Sequence, residues 1–113
     1  MSSPSKKKGY TFEKEIVDKA HEAGFDAERA WGSDGRAKGW HEKVDAKIEG
    51  DKAQCKRRKR LSQVVRPHDA VDVQIVREDY GKTWVIMSLE HYFDLLSFQK
   101  ELGKILKNET GLF

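Results

Sequence analysis

Residues 44–57 constrain the fold most, because apolar and polar side chains alternate on both sides of a turn signal. In the segment VDAKI, residues 44–48, every second side chain is apolar, which is typical of a strand that buries one face. Gly50 and Asp51 follow as a pair that favours a tight turn, and a return strand covers residues 52–57. The sequence therefore predicts a β-hairpin.

The predicted turn fixes which side chains face each other across this hairpin. With Gly50 and Asp51 as the loop, Asp45 lies opposite Lys56. Lys47 lies opposite Gln54 in the same register. These polar side chains share one face, because side chains in a strand alternate with a period of two. The other face is predicted to pack inward and carries Val44, Ala46, Ile48, Ala53 and Cys55.

The rest of the chain predicts further strands and helices around this hairpin. The predicted elements are a flexible basic tail over residues 1–9, a helix over 11–23, a strand over 25–31, a glycine-rich loop over 32–43, a short helix over 61–65, a strand over 70–77, a buried central strand over 84–89 and a helix over 90–107. This order predicts a single α/β domain over residues 10–113, with a mixed five-stranded sheet flanked by helices.

Charge is abundant and unevenly placed in these 113 residues. Asp, Glu, Lys and Arg make up 36% of the chain, yet the formal net charge is only +3. Basic side chains cluster at residues 6–8 and again at residues 56–60, directly after the predicted return strand. Such clusters favour a polyphosphate partner, because contacts to phosphates release condensed counterions. The alternative is a solvated face and a charged tail.

Several classes of protein do not fit the sequence. Neither a stretch of 18 apolar residues nor the apolar core of a signal peptide is present. The single cysteine excludes an internal disulfide and is consistent with a reducing cytoplasm. The four histidines are scattered, which excludes the usual zinc-ligand spacing. We therefore expect a cytoplasmic protein without a structural zinc ion.

One group of polar residues suggests a reaction. Glu13 lies on the helix stripe predicted to face the core, so its carboxylate requires a cation or a basic partner there. Together with Asp45, Gln54 and Lys56, it gives two carboxylates, an amide oxygen and a lysine, a group of side chains suited to metal-assisted hydrolysis of phosphodiesters. The alternative is that Asp45 and Lys56 form only a cross-strand ion pair, worth about 0.2–1 kcal/mol.

These residues also occur in the order of a known family. The matching elements are Lys8-Gly9-x-x-x-Glu13, Gly24-Phe25-x-x-x-Arg29, Gly32-Ser33, Val44-Asp45 and Gln54-Cys55-Lys56. This set resembles the archaeal-type Holliday junction resolvases, within the PD-(D/E)XK restriction-endonuclease-like superfamily. The resemblance covers residues 8–60, and the second half of the chain agrees with it only in the order of its elements.

The resemblance implies a homodimeric, Mg²⁺-dependent endonuclease that cuts branched, four-way DNA, with Mn²⁺ able to substitute. By the same resemblance, Glu13, Asp45, Gln54 and the backbone carbonyl of Cys55 are metal ligands, and Lys56 is the catalytic lysine. Arg29 contacts the scissile phosphate, and Ser33 lies in a loop that binds the DNA backbone. Further DNA-binding residues are expected at Lys8, Arg36, Lys38, Arg57, Arg58, Lys59 and Arg60.

The chain departs from the family pattern at two positions. Gln54 replaces the acidic motif residue, which removes one negative charge but keeps an oxygen donor. Val44, rather than proline, precedes Asp45. A non-catalytic DNA-binding homologue and a nicking or flap nuclease of the same fold therefore remain as alternatives.

Three aromatic or apolar features allow two interpretations each. Trp31 is expected in the core, whereas Trp40 fits either the core or stacking on an unpaired base. The C-terminal stripe is broad enough to serve as a two-fold dimer interface or to pack on the sheet. It includes Leu95, Phe98, Leu102 and Ile105.

Overall fold

The computed structural model describes residues 4–30 and 39–110, and within them the side chains of residues 9–30 and 39–108. The chain divides into two compact units, Met1–Lys59 and Arg60–Phe113. In the described residues, each unit contains one α-helix and one antiparallel sheet.

The first unit pairs a long helix with a three-stranded sheet. Its elements are α1 (Pro4–Glu22), β1 (Ala27–Arg29), β2 (Ala46–Ile48) and β3 (Asp51–Ala53), and the strand order is β1-β2-β3. The core is formed by Val17, Ala20, Phe25, Ala30, Val44, Ala46 and Ile48. Helix α1 packs on β1 and β2, so the side of the helix that carries Val17 and Ala20 contributes to this core.

Helix α1 starts earlier than the sequence pattern predicts. It begins at Pro4, so residues 4–9, predicted as part of a basic tail, belong to the helix. Proline is favoured in the first turn of a helix, and the lysines that follow it are good helix formers. The prediction for residues 1–3 lies outside the described residues.

The helix ends where the sequence predicts, at a glycine stop. Gly24 has φ of +86°, a left-handed conformation that glycine adopts without steric cost. The amide of Gly24 donates to the His21 carbonyl, and the amide of Phe25 donates to the Ala20 carbonyl. This pair of hydrogen bonds is the Schellman arrangement that closes helix C-termini.

The hairpin forms, but the predicted register is wrong. Ala46 pairs with Ala53 and Ile48 pairs with Asp51, so the two loop residues are Glu49 and Gly50. Both have positive φ, +48° and +87°, as a type I′ turn requires. Glutamate is uncommon in this conformation. Here the amide of Glu49 donates to the Asp26 carbonyl, and its carboxylate accepts from the Asp26 amide at 2.6 Å.

The second unit contains a hairpin followed directly by a helix. Its elements are β4 (Val73–Arg77), β5 (Thr83–Met87) and α2 (Leu89–Thr110). The two strands pair along their whole length, with Ile75 opposite Val85 at the centre. Ser88 caps the helix, because its hydroxyl oxygen accepts a hydrogen bond from the His91 amide at 3.1 Å.

Two predictions for the second unit are wrong. Residues 61–65 do not form a helix: residues 63–65 form a turn, and the carbonyl of Ser62 accepts from the amides of Val65 and Arg66. Strand β5 is not a buried central strand. In the described residues it has one neighbour, β4, and Trp84 and Val85 are 58% and 54% exposed.

The fold class is mixed α/β, as predicted, with two helices and small antiparallel sheets. The expected mixed five-stranded sheet is not found. The described strands form sheets of three and two, and every pairing between them is antiparallel.

The described helices also include none that is both long and apolar enough to cross a membrane.

Candidate functional site

The site begins with a carboxylate that α1 carries into the core of the first unit. Glu13 is 4% exposed, and it lies one and two turns before the buried Val17 and Ala20. This i, i+4, i+7 spacing places all three on one helix face. The burial of Glu13 expected from the sequence is therefore confirmed.

The buried carboxylate of Glu13 has a basic partner in the neighbouring strand. Arg29, at the end of β1, donates from Nη1 to Oε2 of Glu13 across 3.4 Å. The Arg29 side chain is 20% exposed and that of Glu13 is 5% exposed, so the pair is largely shielded from water. Arg29 therefore provides the partner that a buried carboxylate requires.

An aromatic ring that was not predicted from the sequence, that of Tyr10, also contacts Arg29. The guanidinium carbon of Arg29 lies 4.2 Å from the centroid of the Tyr10 ring. Tyr10 precedes Glu13 by three residues on α1, a spacing that places two side chains on the same helix face. That spacing is the signal from which the contact could have been found.

The second carboxylate belongs to Asp45, at the residue just before β2. Its backbone is held on both sides, because its carbonyl accepts from the Ala30 amide and its amide donates to the Ala53 carbonyl. Its side chain is also fixed, because Oδ2 accepts from the Cys55 amide at 2.7 Å. Asp45 is 9% exposed. Pairing on both edges thus positions a buried carboxylate at the end of the sheet.

The Cys55 thiol lies in the electrostatic environment of both carboxylates. Burial raises the pKa of Cys55, and the nearby charges of Asp45 and Glu13 raise it further, to about 11. Nearby negative charges disfavour the thiolate. The backbone pairing shows the same neighbourhood: Arg29, which pairs with Glu13, lies opposite Ala46, the residue after Asp45. The Cys55 amide in turn donates to Asp45.

The corrected register changes the surroundings of Asp45. The observed pairing ends at Ala46 and Ala53, and the Asp45 amide also donates to the Ala53 carbonyl, whereas the sequence placed Asp45 opposite Lys56. Asp45 and Lys56 are therefore not directly opposite each other, as the interpretation as a simple cross-strand ion pair requires. Gln54 and Lys56 are both exposed.

The residues expected to bind DNA are only partly described. Arg57, Arg58, Lys59 and Arg60 are all exposed. The contact of Arg29 with a phosphate stays a prediction. In this structure the Arg29 guanidinium contacts Glu13 and Tyr10. Lys8 lies in α1, but its side chain is outside the described residues. The predictions for Trp31, Ser33, Arg36 and Lys38 also fall outside the described residues.

The donor atoms at this site are hard oxygens. Carboxylates, an amide oxygen and a backbone carbonyl are the ligand types that Mg²⁺ prefers. In the part of the chain that the structure describes, no group of three or more His, Cys, Asp or Glu side chains is arranged to hold a metal ion. The chemistry of Glu13, Asp45 and Gln54 suits magnesium, but the Glu13 carboxylate is already shared with Arg29.

Comparison with protein-family models, with curated proteins and with solved structures found no match to this chain.

Proposed function

We propose that the chain is a structure-specific DNA endonuclease, of the kind that resolves four-way junctions, and that its site is the Glu13–Asp45 cluster. The observation that carries this proposal is a pair of buried carboxylates in the first unit, 4% and 9% exposed. They are neighbours through Arg29, which pairs with Glu13 and lies opposite Ala46, the residue after Asp45. Buried ionisable groups are costly and are most often retained where they have a chemical use.

Each residue of the cluster has a role in this proposal. Glu13, Asp45, the Gln54 amide and the Cys55 carbonyl hold a divalent cation, Mg²⁺ or Mn²⁺. When bound, the cation supplies a more acidic water and charge neutralisation at the phosphate. Lys56 orients the attacking water and offsets negative charge as the phosphorus–oxygen bond breaks. Arg29 holds the Glu13 carboxylate in place and becomes available to a phosphate when a cation takes over its role.

The exposed basic run at residues 57–60 supports DNA as the substrate. Its side chains extend from the end of the hairpin that carries Asp45, Gln54 and Lys56. Contacts from arginine and lysine to phosphates position a duplex without reading its sequence. This fits an enzyme that recognises the shape of a branch. The proposal also includes the fold that the resemblance implies, a single five-stranded restriction-endonuclease-like sheet.

The test is a cleavage assay on a synthetic four-way junction, with linear, nicked and flap DNA alongside, in Mg²⁺, Mn²⁺ or EDTA. We expect metal-dependent paired incisions in the junction. Asp45→Asn should slow cleavage by about 100-fold or more while junction binding persists. Asp18→Asn is the matched control, because Asp18 is exposed on α1 and pairs with the exposed Lys14 in an i, i+4 contact.

A second pair of variants tests the lysine. Lys56→Ala should abolish cleavage, whereas Lys52→Ala, an exposed lysine in β3 of the same hairpin, should leave the rate unchanged. Cleavage that survives Asp45→Asn and Lys56→Ala would overturn the assignment of the site. Cleavage of flap or nicked DNA alone would retain the chemistry and replace the substrate.

A non-catalytic DNA-binding module is the second candidate, and a specific contact favours it. Arg29 already neutralises Glu13, so the buried carboxylate has a partner without a cation. Gln54 also leaves the site with one charge fewer than a carboxylate would give. This candidate predicts tight junction binding without cuts in either metal. Gln54→Glu would then fail to create activity, whereas in a working nuclease it should preserve activity or shift its metal dependence.

The basic run gives both candidates a common test. Neutralising Arg57, Arg58, Lys59 and Arg60 should weaken binding to every DNA and flatten its salt dependence by about one unit of slope for each lost phosphate contact. An unchanged slope would exclude these residues from the binding surface. No binding to any DNA by the unmodified chain would overturn both candidates.

A further inference from the structure

Arg29 contacts two side chains of helix α1 within the first unit. Its Nη1 donates to Oε2 of Glu13 across 3.4 Å, and its guanidinium carbon lies over the Tyr10 ring, 4.2 Å from the centroid. Tyr10 and Glu13 are three residues apart, a spacing that places two side chains on one helix face. A single arginine at the end of β1 therefore has two partners on α1, a carboxylate and an aromatic ring.

The two contacts make different demands on the guanidinium. The hydrogen bond to Glu13 occupies one of the five N–H donors that an arginine offers. The aromatic ring instead attracts the positive charge of the group as a whole, and this attraction does not require an N–H donor. Arg29 can therefore change its hydrogen-bond partner and still keep its contact with Tyr10.

The surroundings of Arg29 set the expected strength of the ring contact. The Arg29 side chain is 20% exposed, and the attraction of a cation to an aromatic ring increases when water is excluded. Tyr10 is itself 47% exposed, so the contact lies between the exposed and the fully desolvated cases. We therefore expect an effect that is modest but measurable, both in stability and in rate.

An arginine that is to bind a phosphate must remain ordered after it leaves its carboxylate. The arginine side chain has several rotatable bonds, so restricting it costs conformational entropy. Without a second contact, Arg29 released from Glu13 would have to be ordered again at the phosphate. The Tyr10 ring meets this requirement, because it holds the guanidinium without competing with an anion for its N–H groups.

We propose that Tyr10 is a positioning residue, whose ring holds the Arg29 guanidinium in place while Arg29 exchanges the Glu13 carboxylate for a DNA phosphate. This inference rests on the proposed function, which makes a DNA phosphate the partner of Arg29. Tyr10 acts through Arg29 and does not itself contact the phosphate. It occupies one of the unspecified positions of the pattern Lys8-Gly9-x-x-x-Glu13, so the resemblance assigns it no role.

The first test measures stability by urea unfolding in EDTA, where neither DNA nor a divalent cation contributes. Tyr10→Leu removes the ring and should lower the urea midpoint by about 0.5 M, whereas Tyr10→Phe keeps the ring and should preserve the midpoint. In a Glu13→Gln chain, where Arg29 no longer has a charged carboxylate, Tyr10→Leu should cause the same loss. In an Arg29→Ala chain, Tyr10→Leu should cause no further loss.

Two outcomes of the unfolding test would overturn the proposal. A loss that disappears in the Glu13→Gln chain would show that the ring holds Arg29 only while the carboxylate does. A loss that persists undiminished in the Arg29→Ala chain would show that Tyr10 acts without Arg29. Should Arg29→Ala not fold, Arg29→Ala combined with Glu13→Gln removes the unpaired charge and provides the same background.

The second test measures cleavage of the four-way junction in Mg²⁺ under single-turnover conditions. Tyr10→Leu should lower kcat/KM by about 3–10-fold, the range that a cation–π contact of intermediate exposure supports. Tyr10→Phe should restore the rate to within about twofold, and Tyr10→Leu should have no further effect in an Arg29→Ala chain. Tyr80→Leu is the matched control, because it removes a fully exposed aromatic ring in the β4–β5 turn and should leave the rate unchanged.

The cleavage assay separates failure of this inference from failure of the proposed function. A chain that cuts the junction equally well with Tyr10→Leu would overturn the role of Tyr10 and leave the nuclease assignment intact. A Tyr10→Phe variant as impaired as Tyr10→Leu would assign the effect to the hydroxyl and overturn the role of the ring. An unmodified chain that cuts no DNA in either metal would overturn the proposed function, and the role of Tyr10 in phosphate binding with it, whatever the unfolding test shows.

Discussion

The two helices of this molecule differ in which side chains they bury and which they expose. Helix α1 carries a carboxylate, Glu13, into the core of the first unit, where Arg29 pairs with it. Helix α2 presents a stripe of apolar side chains to the solvent, with Phe98 69% exposed. The first arrangement is costly unless the charge is neutralised, and the second is costly unless the apolar surface is covered.

The difference shows how each unit departs from the usual division between buried apolar and exposed polar residues. In the first unit a buried charge requires a partner of opposite charge, which Arg29 provides for Glu13. In the second unit an apolar stripe of α2 is exposed to water. The departures lie in different units, so they can be disturbed separately.

The largest expected effect comes from one residue type in two environments. Ile48 in β2 is fully buried, whereas Ile105 in α2 is 51% exposed. Ile48→Ala should lower the free energy of unfolding by about 2–5 kcal/mol, because it leaves a cavity. Ile105→Ala should change it by no more than about 0.5 kcal/mol at concentrations where the chain is monomeric. Urea unfolding followed by circular dichroism measures both.

The same pair of variants can contradict the contrast. A loss from Ile105→Ala as large as the loss from Ile48→Ala would show that Ile105 is covered in solution. The difference between the two environments would then fail.

A smaller effect is expected from removing the partner of the buried carboxylate. Arg29→Ala leaves Glu13 buried without its cationic neighbour, and in EDTA it should cost roughly 2–3 kcal/mol, below the usual range for fully buried pairs because Arg29 is partly exposed. If Glu13 and Asp45 bind a divalent cation, Mn²⁺ should restore part of this loss, and the gain in melting temperature should exceed that of the unmodified chain.

The exposed pairs of α1 provide the control for Arg29. Lys19 contacts Glu15 at 3.5 Å, with both side chains more than half exposed. Lys19→Ala should therefore cost less than about 0.5 kcal/mol and should show no specific response to Mn²⁺. An Arg29→Ala variant that Mn²⁺ does not stabilise would indicate that the carboxylates do not hold a cation.

The sequence predicted the parts of the site that depend on local periodicity. The inward position of Glu13 follows from its spacing to Val17 and Ala20, and the hairpin follows from the alternation around Gly50. The register did not follow, because the turn begins at Glu49. That residue is held in the left-handed region by Asp26, far away in the sequence. A tertiary contact of this kind leaves no local signal.

The same limit applies to burial in the second unit. The apolar run at 84–89 and the stripe of α2 indicate regular elements but not what covers them. A strand with one neighbour and a central strand share the same apolar pattern, and Trp84 turned out to be 58% exposed. Periodicity reports which residues share a face, whereas burial depends on the elements that pack against that face.

The smallest expected effect concerns the pKa of Cys55, which burial and the charges of Asp45 and Glu13 raise. In EDTA, its alkylation by iodoacetamide should follow a pKa of about 11, whereas in urea it should follow the ordinary value of 9.0. Since the pKa is higher in the folded chain, this thiol adds stability that is complete below about pH 9 and is lost as the pH rises toward 11. Asp45→Asn should shift the alkylation profile to lower pH by removing a nearby negative charge. Glu15→Gln, an exposed change on α1, should leave the profile unchanged, and an unchanged profile in Asp45→Asn as well would show that the Asp45 charge does not contribute to the pKa.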